Sequence, residues 1–187
     1  MKLATTLVYN DALLQRAKAF AIKAHGTQTY GDEFPYAIHL QAVDSVILRF
    51  FSYRSELVTA LRICAWLHDV REDTTATYEE LVSFFGEGVA NCVEAVTEPK
   101  GGNRKWRHEQ TYPRIVAYGD NAIILKLADR IANVESGGKM VQMYRKEHAE
   151  FKSMLYRTDI PDTEDPDSFY GAMIRMQNHL DDLLVKV

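Results

Sequence analysis

Cysteine is scarce in this chain: Cys64 and Cys92 are the only two among 187 residues. Each sits in an apolar helical context, where a reduced thiol behaves as a small buried hydrophobe. No disulfide framework is expected, and the compartment that fits is a reducing cytoplasm. Long apolar runs are missing too, so no segment is expected to span a bilayer. Met1 to Leu7, followed by Asn10-Asp11, lacks the apolar core of a signal peptide. Nor is there an excess of positive charge: 22 Lys and Arg face 26 Asp and Glu, for a net charge of -4. Bulk charge therefore argues against nucleic acid as a partner, and a small anionic ligand would need a local basic patch or a metal. Convincing strand patterns, internal repeats and low-complexity tracts are all lacking.

What the chain does have is apolar residues, 47% of the total, at helical spacing almost throughout. Asn10 or Asp11 can cap a first helix carrying Leu13, Leu14, Ala17, Phe20, Ala21 and Ala24. Gly26 to Pro35 breaks it, with Tyr30-Gly31-Asp32 as a turn signal. Further helices are predicted over Tyr36–Phe51, Val58–Leu67 and, behind the capping box Thr77-Tyr78-Glu79-Glu80, to Phe85. Others follow over Val89–Val96, Arg104–Ala117 with an interruption near Pro113, Asn121–Val134, Met140–Leu155 and Ser168–Val187. Thr158 to Asp167, with two prolines and five acidic residues, reads as a surface loop. The expectation is an all-α, single compact domain over residues 1–187, with a core of about 12–156 and a closing helix at 168–187.

The chemistry concentrates in His68-Asp69-Val70-Arg71-Glu72-Asp73. Imidazole nitrogen with carboxylate oxygen is the ligand mix that first-row divalent metals accept, and the carboxylates Glu72 and Asp73 can move protons on water activated by such a metal. Two distant pieces complete a candidate site. His39 lies at the start of the second helix, and Asp129 in the middle of an apolar helix, where a lone carboxylate is costly unless paired or coordinated. His39, His68, Asp69 and Asp129 would hold Mn, Fe or Zn and leave room for water. Asn133, four residues after Asp129, projects from the same face and can orient a substrate hydroxyl or the water. A basic cluster, Lys100, Arg104, Lys105 and Arg107, is a candidate for a leaving pyrophosphate, with Arg145 and Lys146 behind it. His25 reads as a helix C-terminal residue favoured by the dipole, or as a contact near the site.

In this order and context, Pro35-Tyr36-Ala37-Ile38-His39, His68-Asp69, Glu72-Asp73 and Lys126-Leu127-Ala128-Asp129-Arg130-Ile131-Ala132-Asn133 resemble an HD-domain metal phosphohydrolase. More narrowly, the chain resembles the hydrolase domain of RelA/SpoT homologues in its small alarmone hydrolase form, over about Ala12 to Phe151. The resemblance implies an all-helical HD-domain bundle around one Mn ion, other divalent metals being alternatives. It implies removal of the 3′-pyrophosphate from ppGpp or pppGpp to give GDP or GTP. It makes His39, His68, Asp69 and Asp129 the metal ligands, Glu72 and Asp73 the pair that activates and positions water, and Asn133 a nucleotide-sugar contact. Arg104 falls where the family uses a basic residue near the phosphates. One departure stands out: Tyr30-Gly31 replaces a basic pair that precedes the first histidine. Tyr30 can stack on a base but cannot neutralise phosphate. The same chemistry on ppApp, on the 2′-phosphate of NADPH or on a dNTP is therefore an alternative, and a nucleotide-sensing module without turnover is another.

Overall fold

The computed structural model describes residues 9–31, 33–51, 55–138, 140–160 and 165–186. Helix α1, Asp11–His25, starts where Asn10 Oδ1 accepts the Leu13 N–H at 3.0 Å and stops at Gly26, whose φ of 54° suits glycine. A small antiparallel hairpin follows, β1 (Thr29–Tyr30) against β2 (Phe34–Pro35), with Thr29 opposite Pro35. The sequence predicts a turn here and no strand; two-residue strands are too short to leave an alternating pattern. Asp32, part of that turn signal, lies outside the described residues.

Helix α2, Ala37–Phe50, matches the expected span to within a residue at each end. Helix α3, Glu56–Leu67, begins two residues earlier than expected because Ser55 Oγ caps it, accepting from Val58 N. A single turn, α4 (Val70–Asp73), then carries the acidic pair. The capping box forms as expected: Thr77 Oγ1 accepts from Glu80 N and the Glu80 carboxylate from Thr77 N, opening α5, Tyr78–Phe85. Helices α6 (Glu87–Val96), α7 (Arg104–Tyr118), α8 (Asp120–Glu135), α9 (Met140–Leu155) and α10 (Phe169–Lys186) complete the order.

One expectation needs correcting. Helix α7 runs straight through Pro113 rather than breaking there. The proline forfeits a bond to the carbonyl of Glu109, a residue on the exposed face where water can take its place, while Tyr112 and Ile115 on the other face are buried on either side of it. The Thr158–Asp167 loop is non-helical at both described ends, and its residues 161–164 lie outside the description, as do Met1 to Leu7.

Helix α8 is the hub. Ala122, Ile123, Ile124, Leu125, Leu127, Ala128 and Ile131 are all fully buried, so most of this helix is enclosed by its neighbours. It packs against α2, α3, α6, α7, α9 and α10. Polar groups on its middle turns are thereby delivered into the interior, and Asp129 and Asn133 arrive at the site in this way, whereas Glu135 at its end stays exposed. Cys64 and Cys92 are free and buried. Among the described residues no helix is long and apolar enough to cross a membrane.

Candidate active site

Four elements converge on one point. His39 comes from the first turn of α2, His68 from the end of α3, Asp69 from the start of α4 and Asp129 from the middle of α8. One ligand atom from each of His39, His68 and Asp129 lies within 4.8 Å of the other two. Asp69 Oδ2 is 2.9 Å from His68 Nε2 and 3.5 Å from His39 Nε2. Asp129 Oδ1 is 3.4 Å from His39 Nε2 and 3.8 Å from His68 Nε2.

Hydrogen bonding sets the direction of the donors. His68 Nδ1 lies 2.8 Å from the Ala65 carbonyl, which can only accept, so Nδ1 carries the proton. A neutral His68 then turns its Nε2 lone pair into the cluster, and that nitrogen is buried with no hydrogen-bond partner. A lone pair facing a carboxylate at 2.9 Å is repulsive unless a proton or a cation lies between them. The same demand for positive charge shows at His39. Burial pushes its imidazole down, yet hydrogen bonds to Asp129 and Asp69 outweigh this and hold it up at about 10. Asp129 moves the other way: burial would raise it, but neighbouring Lys126 and His39 keep it well below the ordinary carboxylate range. Two inward imidazoles and two ionised carboxylates fit a divalent first-row cation.

Supporting groups hold these side chains. The Tyr36 hydroxyl donates to Asp69 Oδ2 at 2.6 Å. Asn133 Nδ2 donates to Asp129 Oδ1 at 2.6 Å and to the Asp129 carbonyl at 3.0 Å. Tyr30 stacks on His39, with ring centroids 4.9 Å apart and planes 11° off parallel. Its hydroxyl donates to Asn133 Oδ1 at 3.0 Å and bonds Ser136 Oγ at 2.8 Å. One face of Tyr30 is thus spent on His39 rather than left for a base.

Of the acidic pair, Glu72 faces the cavity and Asp73 does not. Glu72 is largely buried, which raises its carboxyl pKa, and its Oε2 accepts the Glu98 N–H at 3.0 Å. Asp73 is exposed at the rim and accepts from Gln28 Nε2 at 2.9 Å. Gln28 Oε1 in turn faces His25 Nδ1 at 2.8 Å, and the His25 ring stacks on Tyr36 at 4.4 Å. His25 therefore sits behind Asp73, one glutamine removed.

The polar cavity over this cluster encloses about 200 Å³. Its far wall is cationic, built from Arg104, Arg107, Lys126 and Arg130. Arg104 and Arg107 are where the sequence reading placed basic residues; Lys105 and Lys100 are exposed and do not line the cavity. Arg145 is engaged elsewhere, donating to the Leu184 carbonyl. Lys126, Arg130, Glu98, Tyr36 and Gln28 were not singled out as site residues from sequence. Lys126 and Arg130 carried a usable signal, since they sit three residues before and one after Asp129 in the otherwise apolar middle of the helix, Ala122 to Ala132. A larger cavity of about 300 Å³, lined by Tyr9, Leu57, Cys64, Val89 and Tyr118 among others, is mostly apolar and lacks this set of imidazoles and cations.

A His-Asp pair at a helix junction, joined by a histidine and an aspartate from remote helices inside an all-helical core, defines an HD-type hydrolase fold. The resemblance to RelA/SpoT-homologue hydrolases is borne out by known proteins. The chain is 36% identical over 148 residues to a guanosine-3′,5′-bis(diphosphate) 3′-pyrophosphohydrolase of Aquifex aeolicus, covering 76% of this chain and 20% of that protein. It is 32% identical over 133 residues, 68% of this chain, to the bifunctional (p)ppGpp synthase/hydrolase SpoT of Escherichia coli. The chain thus spans about a fifth of the length of these relatives. Its fold matches that of a metazoan ortholog of SpoT that hydrolyses ppGpp, with a TM-score of 0.74 over 96% of this chain and 98% of the other, at 22% identity. No family model matches the chain.

Proposed function

We propose that this protein is a metal-dependent nucleotide phosphohydrolase that removes the 3′-pyrophosphate of ppGpp or pppGpp, releasing GDP or GTP and pyrophosphate. Manganese is the cation the family resemblance implies. The observation that carries the reading is the meeting of His39, His68 and Asp129, with Asp69 against both imidazoles, beneath a cavity lined by Glu72 and four cations. A cation held by these four residues would supply Lewis acidity and make water acidic enough to lose a proton near neutral pH.

The chain's own residues do the rest. Glu72 accepts the proton of the attacking water; its burial raises its basicity, and the Glu98 N–H fixes one of its oxygens. Asp73, held by Gln28 at the rim, stands outside the cavity and would have to leave Gln28 and turn inward to orient that water or return a proton to the leaving oxygen. Arg104, Arg107, Lys126 and Arg130 neutralise the pyrophosphoryl group, which a molecule of net negative charge would otherwise repel. Asn133 and Tyr30 meet the sugar side. At about 200 Å³ the cavity is smaller than the roughly 300–1,000 Å³ of typical ligand pockets, so the phosphates enter and the base stays at the mouth. Lys105, exposed on α7, is left for long-range attraction of the anion.

Tyr30-Gly31 keeps a second reading open, in which the same chemistry serves ppApp, NADPH or a dNTP, because no cation stands where the family's basic pair would. A side-by-side panel of ppGpp, pppGpp, ppApp, NADPH and dNTPs with Mn, scored by phosphate and pyrophosphate release, separates these substrates. Release from none of them favours a sensing module. In the same assay Asp69→Ala loses metal and turnover together, whereas Glu72→Ala keeps metal and loses turnover. A fully active Asp69→Ala protein would sink the reading.

A further inference from the structure

Glu98 is the one carboxylate of the cavity wall that belongs neither to the ligand set nor to the acidic pair. It stands just after α6, is 9% exposed, and spends its side chain on the cationic wall. Oε2 accepts from Arg107 Nε at 2.8 Å, and Oε1 lies 3.9 Å from Lys126 Nζ. These are two of the four cations that face the substrate's phosphates. Arg104 is matched in the same way, by Glu147 at 2.7 Å. The charged wall is therefore partly neutralised before any ligand arrives.

We propose that Glu98 is a built-in competitor for the pyrophosphoryl group, a carboxylate that pairs with Arg107 and lies near Lys126, itself held closer by Asp129 at 3.2 Å, and so weakens the hold on released pyrophosphate. The inference rests on the proposed phosphohydrolase reading of this cavity. A phosphate that displaces the Glu98 carboxylate need not leave it stranded. His108 Nε2, buried and without a hydrogen-bond partner, is 3.8 Å from Oε1, and a small side-chain rotation closes that gap. The Glu98 backbone N–H, which holds Glu72, is untouched by any change in the side chain. Charge at this position can thus be altered without dismantling the base.

The test is equilibrium binding of inorganic pyrophosphate to the metal-loaded protein at fixed free metal concentration, by calorimetry, with product inhibition measured alongside. Glu98→Gln keeps the shape and an acceptor for Arg107 but removes the charge. Its dissociation constant for pyrophosphate is expected to fall at least about five-fold, since a charge within about 4 Å of both cations is lost even after solvent screening at Arg107. Inhibition by pyrophosphate should tighten in parallel, and Glu98→Asp, which retains the charge, should stay near wild type. If pyrophosphate binds the wild type, loses its site in Arg107→Gln and binds Glu98→Gln no more tightly, the inference fails while the cavity reading survives. Should pyrophosphate bind none of these proteins, the reading of the cationic wall fails and the inference goes with it.

Discussion

Removing the hydroxyl of Tyr36 isolates the support behind Asp69, one of the proposed metal ligands. That hydroxyl donates to Asp69 Oδ2 at 2.6 Å, within the range of a charge-assisted O–H···O⁻ bond. Burial, together with the neighbouring Asp69 charge, raises the phenol pKa far above its usual value, so it remains a donor at every accessible pH. Tyr36→Phe deletes the donor alone: the stack on His25 at 4.4 Å and the edge contact with His39 at 5.6 Å involve only the ring. A hydrogen bond to a charged group contributes about 1.5–3 kcal/mol, which corresponds to roughly 10- to 100-fold in metal affinity and matches the usual cost of losing a ligand's outer partner. Metal titration of the apo protein, followed by calorimetry, should show that loss. Turnover at saturating metal should fall much less, because Glu72 and the cationic wall are untouched. A Tyr36→Phe protein with wild-type metal affinity would refute the assignment of Asp69 as a ligand oriented by this bond.

Three further outcomes are expected. Burial, reinforced by the Arg104 charge, pushes the His108 imidazole down to about 4. The unfolded chain takes up that proton near about 6.5, so the neutral ring's contribution is full above about 6.5 and is lost as pH falls toward about 4, up to about 3 kcal/mol. Urea denaturation should show this loss in wild type between pH 7 and pH 5 and a flatter profile in His108→Gln; parallel profiles would refute it. Asp44, 4% exposed, accepts from Arg62 at 2.7 and 3.1 Å and from Trp66 Nε1 at 2.9 Å. Asp44→Ala should cost about 3–5 kcal/mol in unfolding free energy by stranding those donors, with turnover per folded molecule unchanged. Tyr30→Phe keeps the stack on His39 and cuts the link to Asn133 and Ser136, so KM for the nucleotide should rise about five-fold, from about 1 kcal/mol, with metal affinity within about two-fold.

How much of this was legible beforehand differs by element. Most helices were readable because they bury a stripe repeating every 3.6 residues, and because Asn10 and Thr77 cap two of them through bonds that are local in sequence, whereas the Ser55 cap went unread and α3 starts two residues early. Pro113 misled because what lets a helix continue past a proline is packing on one face and water on the other, and neither is written in the local sequence. The hairpin escaped because its strands are two residues long. For the site, His68-Asp69 announced itself by adjacency, and His39 and Asp129 by motif.

The amino-acid order alone determined which segments would be helical, which positions would be apolar, and that the metal-binding residue types occur where the family motif requires them. Those follow from short-range hydrogen bonding and periodic burial. Only the packing of α8 among its neighbours decided that Lys126, Arg130, Arg107 and Glu98 share a wall, that Tyr30 leans on His39 instead of standing free, and that Glu72 looks inward while Asp73 looks out. These contacts join residues on different elements of the fold, and their energies depend on distance and burial, which come into being when the chain closes on itself.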